Sequence, residues 1–335
     1  MSKERLSSEQ LRRRALVSAL GATAITSMGA ARAAGAQPYP VRPIRSLVPF
    51  GPGGITDIVA RIVAEKLGKA LQQQIVIDNR PSAGGIIATD LAAKAEPDGY
   101  TMLWFGSSAT VSVSLMKSLP YDLVRDLAPI STTGYSALVL LVNANSPIRS
   151  VADLLAFGKA NPNKFNMGIT TIGAMIHVAT ELFLSMTRVP AQVVPLRTSG
   201  ALISAVRGND AQAMFEFIAP VLPFIESGQL RPLAVTSERR FEGLPNVPTL
   251  AEAGVPGYEA SAWTALAVPA KTPRPIVERL SREVNAIVKM PDVKQRLQDL
   301  GIAARGSTPE ELRKIIVADI AKWKRVVETA KIPRQ

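Results

Sequence analysis

Short apolar runs alternate with amphipathic stretches along the first third of the chain. Residues 44–50 are apolar enough to predict a strand, and Gly51-Pro52-Gly53-Gly54 a tight turn after it. Ile55, Ile58, Val59, Ile62, Val63 and Leu67 then recur at helical spacing, which predicts a helix over residues 55–71. A second strand (74–78), a second glycine turn (81–85), a second helix (86–95) and a third strand (100–105) follow. Strand, turn, helix, strand is the grammar of a parallel α/β sheet.

The grammar repeats later, with strands expected at 165–170, 193–196, 213–217 and 233–236 and helices at 173–186 and 201–207. Two unbroken apolar strands bracket this second block, at 137–142 and 263–268, and three helical stretches close the chain. The two longest of these, 273–288 and 309–330, each begin Thr-Pro, where Thr suits the cap and Pro the first turn. The pattern predicts two α/β lobes, each a mixed sheet flanked by helices, joined by two crossing strands. The expected boundaries are 37–136 and 262–335 for the first lobe and 137–261 for the second. Ligands of open α/β sheets sit beyond the carboxyl ends of the strands, so facing lobes share one cleft.

The segment before residue 37 reads as an export signal. Arg12-Arg13-Arg14 precedes a run from Ala15 to Ala31 without charge, and Ala34-Gly35-Ala36 offers a cleavage site, with one after Ala33 nearly as good. Arg13-Arg14 also fits twin-arginine export, and the general route stays open. The apolar run is short and rich in small residues, which suits cleavage rather than spanning, and the expected location is the periplasm.

Composition narrows the chemistry. The chain has no Cys and one His, His177, so thiolate chemistry and His-rich or Cys metal sites are not expected. Its formal charge is +12, and Lys and Arg are scattered along helices without the aromatic clustering of a nucleic-acid binder. A monomer without cofactor is expected.

The glycine turns are the places where chemistry concentrates. Gly53, Gly54 and Thr56 open the first helix, where unpaired amides and the positive end of the helix dipole can hold a carboxylate without Arg. Asp57 suits the same dipole. Ala83, Gly84 and Gly85 repeat the device after the adjacent strand. In the second block Thr170, Thr171, Gly173 and Ala174 line the equivalent turn, and His177 in the first helical turn reads as a packed or capping residue with Glu181 one turn on. Two rivals remain at this point. Gly51-x-Gly53-x-x-Thr56 with Asp78 nearly matches a dinucleotide fingerprint, which would suit an exported nicotinamide-dependent oxidoreductase, although Thr replaces the third Gly. A binding module serving a membrane sensor is the other.

Together the motifs resemble the Bug family, the TctC-like substrate receptors of tripartite tricarboxylate transporters. The resemblance rests on Val48-Pro49-Phe50-Gly51-Pro52-Gly53-Gly54-Ile55-Thr56-Asp57, Asp78-Asn79-Arg80-Pro81-Ser82-Ala83-Gly84-Gly85, Pro97-Asp98-Gly99-Tyr100-Thr101 and Leu244-Pro245-Asn246-Val247-Pro248-Thr249-Leu250-Ala251-Glu252-Ala253-Gly254, in order along the mature chain. It implies a two-lobed periplasmic binding protein of type II-like fold, not an enzyme, that closes on a small carboxylated solute and delivers it to a membrane permease. It also implies that one carboxylate lies at Phe50, Gly53, Gly54, Thr56, Asp57, Ala83, Gly84 and Gly85. The second lobe departs from the pattern: Ile169 and Ala174 stand where the family has Ser, Arg197-Thr198 where it has Lys-Gly, and Gln212 where it has Asp. Arg197 and Glu216 are therefore the candidates for reading the distal end of the ligand.

Overall fold

Strand β1 (Ile44–Val48) lies between β2 (Ile75–Asn79) and β3 (Thr101–Gly106) and runs parallel to both. The computed structural model describes residues 39–53 and 55–334, so the expected export signal and Gly54 lie outside the described residues. Helix α1 (Ile55–Leu71) connects β1 to β2. It buries Val59, Ile62, Val63 and Leu67, and each such side chain removed from water contributes roughly 1.5–3 kcal/mol. Helix α2 (Ile86–Ala93) connects β2 to β3. Strand β10 (Ala262–Pro269), β4 (Leu127–Ser136) and β11 (Ile302–Ala304) extend this sheet with antiparallel pairing, giving the order β11-β4-β10-β3-β1-β2.

The second sheet has the order β7-β6-β8-β5-β9. Strand β6 (Asn166–Ile169) pairs parallel with β7 (Gln192–Pro195) and β8 (Ala213–Phe217), while β5 (Leu138–Asn143) pairs antiparallel with β8 and β9 (Leu230–Val235). Helices α4 (Val151–Ala160), α5 (Met175–Thr187), α6 (Ser199–Gly208) and α7 (Ile218–Glu226) flank it. Both sheets are thus mixed, with parallel pairing confined to the strands whose βαβ pattern is visible in the sequence. The chain leaves the first sheet through Ala137 and returns between Val235 and Ala262. Since Thr264 pairs with Gly106 and Ala262 with Ser136, both crossings lie at the end of the first sheet where β1 and β3 finish.

Helix α3 (Ser107–Leu115) follows β3 without a loop and was not expected. Seven of its nine residues are buried, and its Ser, Thr and Val carry no apolar stripe for a pattern to reveal. Helices α8 (Arg274–Ile287), α9 (Pro291–Gln298) and α10 (Pro309–Thr329) end the chain. Thr308 caps α10 in a reciprocal box with Glu311. The matching expectation at Thr272 is corrected: Pro273 occupies the cap of α8, no side chain bonds the helix start, and the Thr272 hydroxyl is buried without a partner.

Helix α10 belongs to both cores. Leu312 and Ile316 pack with Leu47, Leu103 and Phe105 of the first sheet. Trp323, Val326 and Val327 join Leu140 and Phe215 of the second and Phe183 of α5.

Candidate functional site

The turn after β1 is shaped by a buried carboxylate. Asp57 sits in the first turn of α1, is 2% exposed, and accepts the Gly53 amide at 3.0 Å, Arg61 Nε at 2.9 Å and Asn79 Nδ2 at 2.9 Å. Burial alone would raise its pKa, but these hydrogen bonds from Arg61, Gly53 and Asn79 outweigh burial and lower it to about 2. Gly53 has φ 81°, a left-handed conformation that favours glycine. Asp57 and the Gly53 amide are therefore engaged with each other, and their contribution to the site is the shape of the loop. Thr56 is half-buried on the same helical turn.

The turn after β2 is fastened to the first. The Arg80 amide donates to the Val48 carbonyl at 2.8 Å, and Asn79 Nδ2 donates to the Phe50 carbonyl at 2.9 Å. Gly84 and Gly85 both have positive φ, 61° and 75°. A Cβ on Gly84 would stand 1.9 Å from Ser112 Oγ, and one on Gly85 would stand 2.8 Å from Pro49 Cβ. Glycine is required here by conformation and by close approach to both α3 and the first turn. The Gly85 amide donates to the Ser82 carbonyl and the Ile87 amide to Ser82 Oγ, which closes the turn over the start of α2. The two glycine turns and the start of α3 at Ser107 thus meet at the carboxyl ends of three adjacent strands. Asn79 as the staple and α3 as a third helix opening were missed from sequence. The direct passage from Gly106 to Ser107 left no turn signal to read.

The second-lobe turn uses the same construction. Gly173, with φ 83°, donates its amide to His177 Nδ1 at 2.9 Å, four residues on in α5. His177 is buried, and its Nε2 faces Glu181 at 3.3 Å. The one histidine is therefore the turn's brace. Thr170 is joined to the next loop, because its carbonyl accepts the Arg197 amide at 2.8 Å. Thr171 and Ala174 bond each other through carbonyl and amide at 3.1 Å. A Cβ on Gly173 would lie 2.8 Å from Leu115 of α3, so this turn touches the first lobe.

Arg197 is exposed and has φ 70°, a conformation costly for a side chain with Cβ. Amide bonds from Leu196 to Ile169 and from Arg197 to Thr170 hold it there. Glu216 is not at the surface of the cleft: it is wholly buried, one carboxylate oxygen accepts the Phe217 amide at 2.8 Å, and the other has no hydrogen-bond partner. Burial pushes its carboxyl above the usual range, with the Ser199 hydroxyl and the Phe217 amide offsetting part of the shift.

The dinucleotide reading requires an open carboxylate at Asp78. Instead Asp78 is clasped by Arg45 at 2.6 Å and Arg80 at 2.9 Å. Among the described residues, no group of three or more His, Asp or Glu is placed to hold a metal ion, and no helix is long and apolar enough to cross a membrane.

Residues 59–332 match the model of the tripartite tricarboxylate transporter family receptor, TctC. The chain belongs to this family. Among the relatives of this TctC protein, BugT of Bordetella pertussis is 38% identical over 305 residues, covering 90% of this chain and 94% of that one. Of solved structures, R. palustris Rpa4515 with adipate is 33% identical, covers 88% of this chain and 99% of its own, and superimposes with a TM-score of 0.74. The periplasmic binding protein BugD is 28% identical over 89% of this chain and all of its own (100%), with a TM-score of 0.71. The two-lobed receptor fold expected from the motifs is the fold observed.

Proposed function

We propose that this receptor captures a small carboxylated solute in the periplasm, closes its second lobe over it and delivers it unchanged to the membrane permease of a tripartite transporter. The observation that carries the reading is the stapled pair of glycine turns. Two helix starts, fixed by Asp57, Asn79 and Ser82, open side by side at the ends of β1 and β2. Amides so arranged form an anion site without requiring a cation.

In this reading the backbone at Gly54 and Thr56 and at Ala83 and Gly84 holds one carboxylate, with the Thr56 hydroxyl. Phe50, Gly53, Asp57 and Gly85 set its shape. Thr170, Thr171, Gly173 and Ala174 form the facing wall, and Arg197 meets an anionic distal end. Glu216 acts from beneath that wall. The adipate bound by Rpa4515 makes a linear dicarboxylate the first solute to try. The mature chain begins after Ala36, works as a monomer and passes its cargo on without chemistry.

A melting-shift screen of the mature protein across organic acids tests this, with adipate among them. The expected result is stabilisation by a carboxylate that Thr56→Ala weakens by about 1–3 kcal/mol, the cost of an unmet polar partner. No stabilisation by any carboxylate defeats the reading.

A further inference from the structure

The candidate cleft and a second, sizeable cavity lie on opposite sides of the crossing strands. In the first sheet the glycine turns follow β1 and β2, and β10 and β4 separate them from the β11 edge. In the second sheet the turns follow β6 and β7, and β8 and β5 separate them from the β9 edge. A cavity of about 750 Å³ opens at the β11 and β9 edges. One wall is residues 302–305 with the middle of α10; the other is residues 237–242, just past β9. Ala137 and Ser261, from the two crossings, line it between these walls. Its volume falls within the range of small-molecule sites, roughly 300–1,000 Å³.

The lining has a definite character. Six Lys and Arg face four Asp and Glu. Lys322 is held between Glu259 at 2.8 Å and Asp319 at 3.0 Å, and Arg240 is paired with Glu252 outside the cavity. Removing these leaves four cations against two acids. Three of the four are Arg239, Arg305 and Arg325, from three separate elements, and Arg305 lies over the Tyr135 ring at 5.5 Å. Phe241, Ile302 and Ile315 supply apolar surface between them.

We propose that this rear cavity is a second binding site, for a small organic anion with an apolar body, and that its occupancy is coupled to the front cleft. The guanidinium groups that line the cavity recognise the anionic head, and the aromatic and aliphatic lining takes the body. The coupling follows from position. Front and rear lie on either side of the crossings, so a rotation that narrows one widens the other. An occupant that props the rear open favours the closed front, and by linkage a front ligand tightens rear binding equally. The coupling, unlike the site, rests on the lobe-closure reading above.

The test uses the mature protein and bromonaphthoate, an apolar monoanion whose bromine is located by anomalous scattering in crystals. The expected bromine position is between Tyr135 and Phe241. Calorimetry is expected to show binding weakened about tenfold or more in Arg305→Glu/Arg325→Glu and kept in Thr56→Ala, which alters only the front. Filling the cavity with Ala304→Trp is a second route to the same loss. Bromine found only between the glycine turns, titration unchanged in both rear variants, or no saturable binding overturns the site. Equal affinity for adipate with and without bromonaphthoate overturns the coupling. Where adipate does not bind, the carboxylate that stabilises the protein in the melting-shift screen takes its place; if none does, the front reading fails, and the bromine position still decides the rear site.

Discussion

The amide of Gly173 donates to Nδ1 of His177 across one helical turn, as the amide of Gly53 does to the carboxylate of Asp57. Both glycines have φ near 80°, 83° and 81°, and both acceptors stand four residues on in the helix that the turn opens. Two lobes without matching sequence at these positions thus share one way of curling a loop over a helix start. An acceptor on the helix draws the glycine amide inward and leaves the following amides at the helix mouth. Either brace is then a shape determinant, and replacing it disturbs the site without removing a ligand contact.

Asp57→Ala removes the acceptor for three donors, Gly53, Arg61 and Asn79. The expected loss of stability is about 2–3 kcal/mol, from the charge-assisted hydrogen bonds lost around a buried carboxylate. His177→Ala has one backbone donor at stake and is expected to cost about 1 kcal/mol. Chemical denaturation of both variants checks the ranking, and a larger loss for His177→Ala would contradict it.

The low pKa of Asp57 sets an acid limb. Its folded value, about 2, lies below the ordinary carboxylate value, so the charged form is favoured in the fold. The stabilisation, on the order of 2 kcal/mol, is complete above pH 4 and is lost as pH falls towards 2. Unfolding measured between these limits is expected to show this slope in the parent and not in Asp57→Ala.

Glu216 has the opposite sign. Its folded pKa is raised by burial, so its contribution is favourable below the ordinary glutamate value and is lost as pH rises through the folded value. Glu216→Gln keeps the shape and removes the buried charge. The melting temperature is expected to exceed that of the parent at pH 8, with the gap closing towards pH 4. Equal curves would mean that the carboxylate oxygen without a protein partner is hydrated.

Gly84→Ala is expected to be severe. The position combines φ 61° with a Cβ placed 1.9 Å from Ser112 Oγ. Strain of about 1–2 kcal/mol from the backbone adds to the displacement of α3. The pair Gly84→Ala and Gly84→Ala/Ser112→Gly separates the two: the second substitution is expected to recover the steric part and not the backbone part, as read by denaturation.

Much of this was legible in the sequence. The stripe Ile55, Val59, Ile62 located α1 to the residue because one face is buried and the other is wet. The glycine turns were legible because only glycine takes those φ values cheaply. Helix α3 was not, since burial on nearly every side erases the polar face that periodicity depends on. Nor was the assignment of Asp57 and Gly53 to each other: an acidic residue at a helix start has the same spelling whether it faces a ligand loop or braces it. Glu216 is a wall candidate in the sequence because the second-lobe motifs depart from the family pattern, and strand alternation alone does not show that its side chain points into the protein.

Helix α10 carries a consequence for biogenesis. Trp323, Val326, Val327 and Ile332 complete a core otherwise made from residues between 111 and 260. That core stays unfinished until residues 323–332 have emerged, so the segment between 111 and 260 cannot close as it is made. Domains usually fold in the order of synthesis, and here a helix made later holds the key to the segment that precedes it.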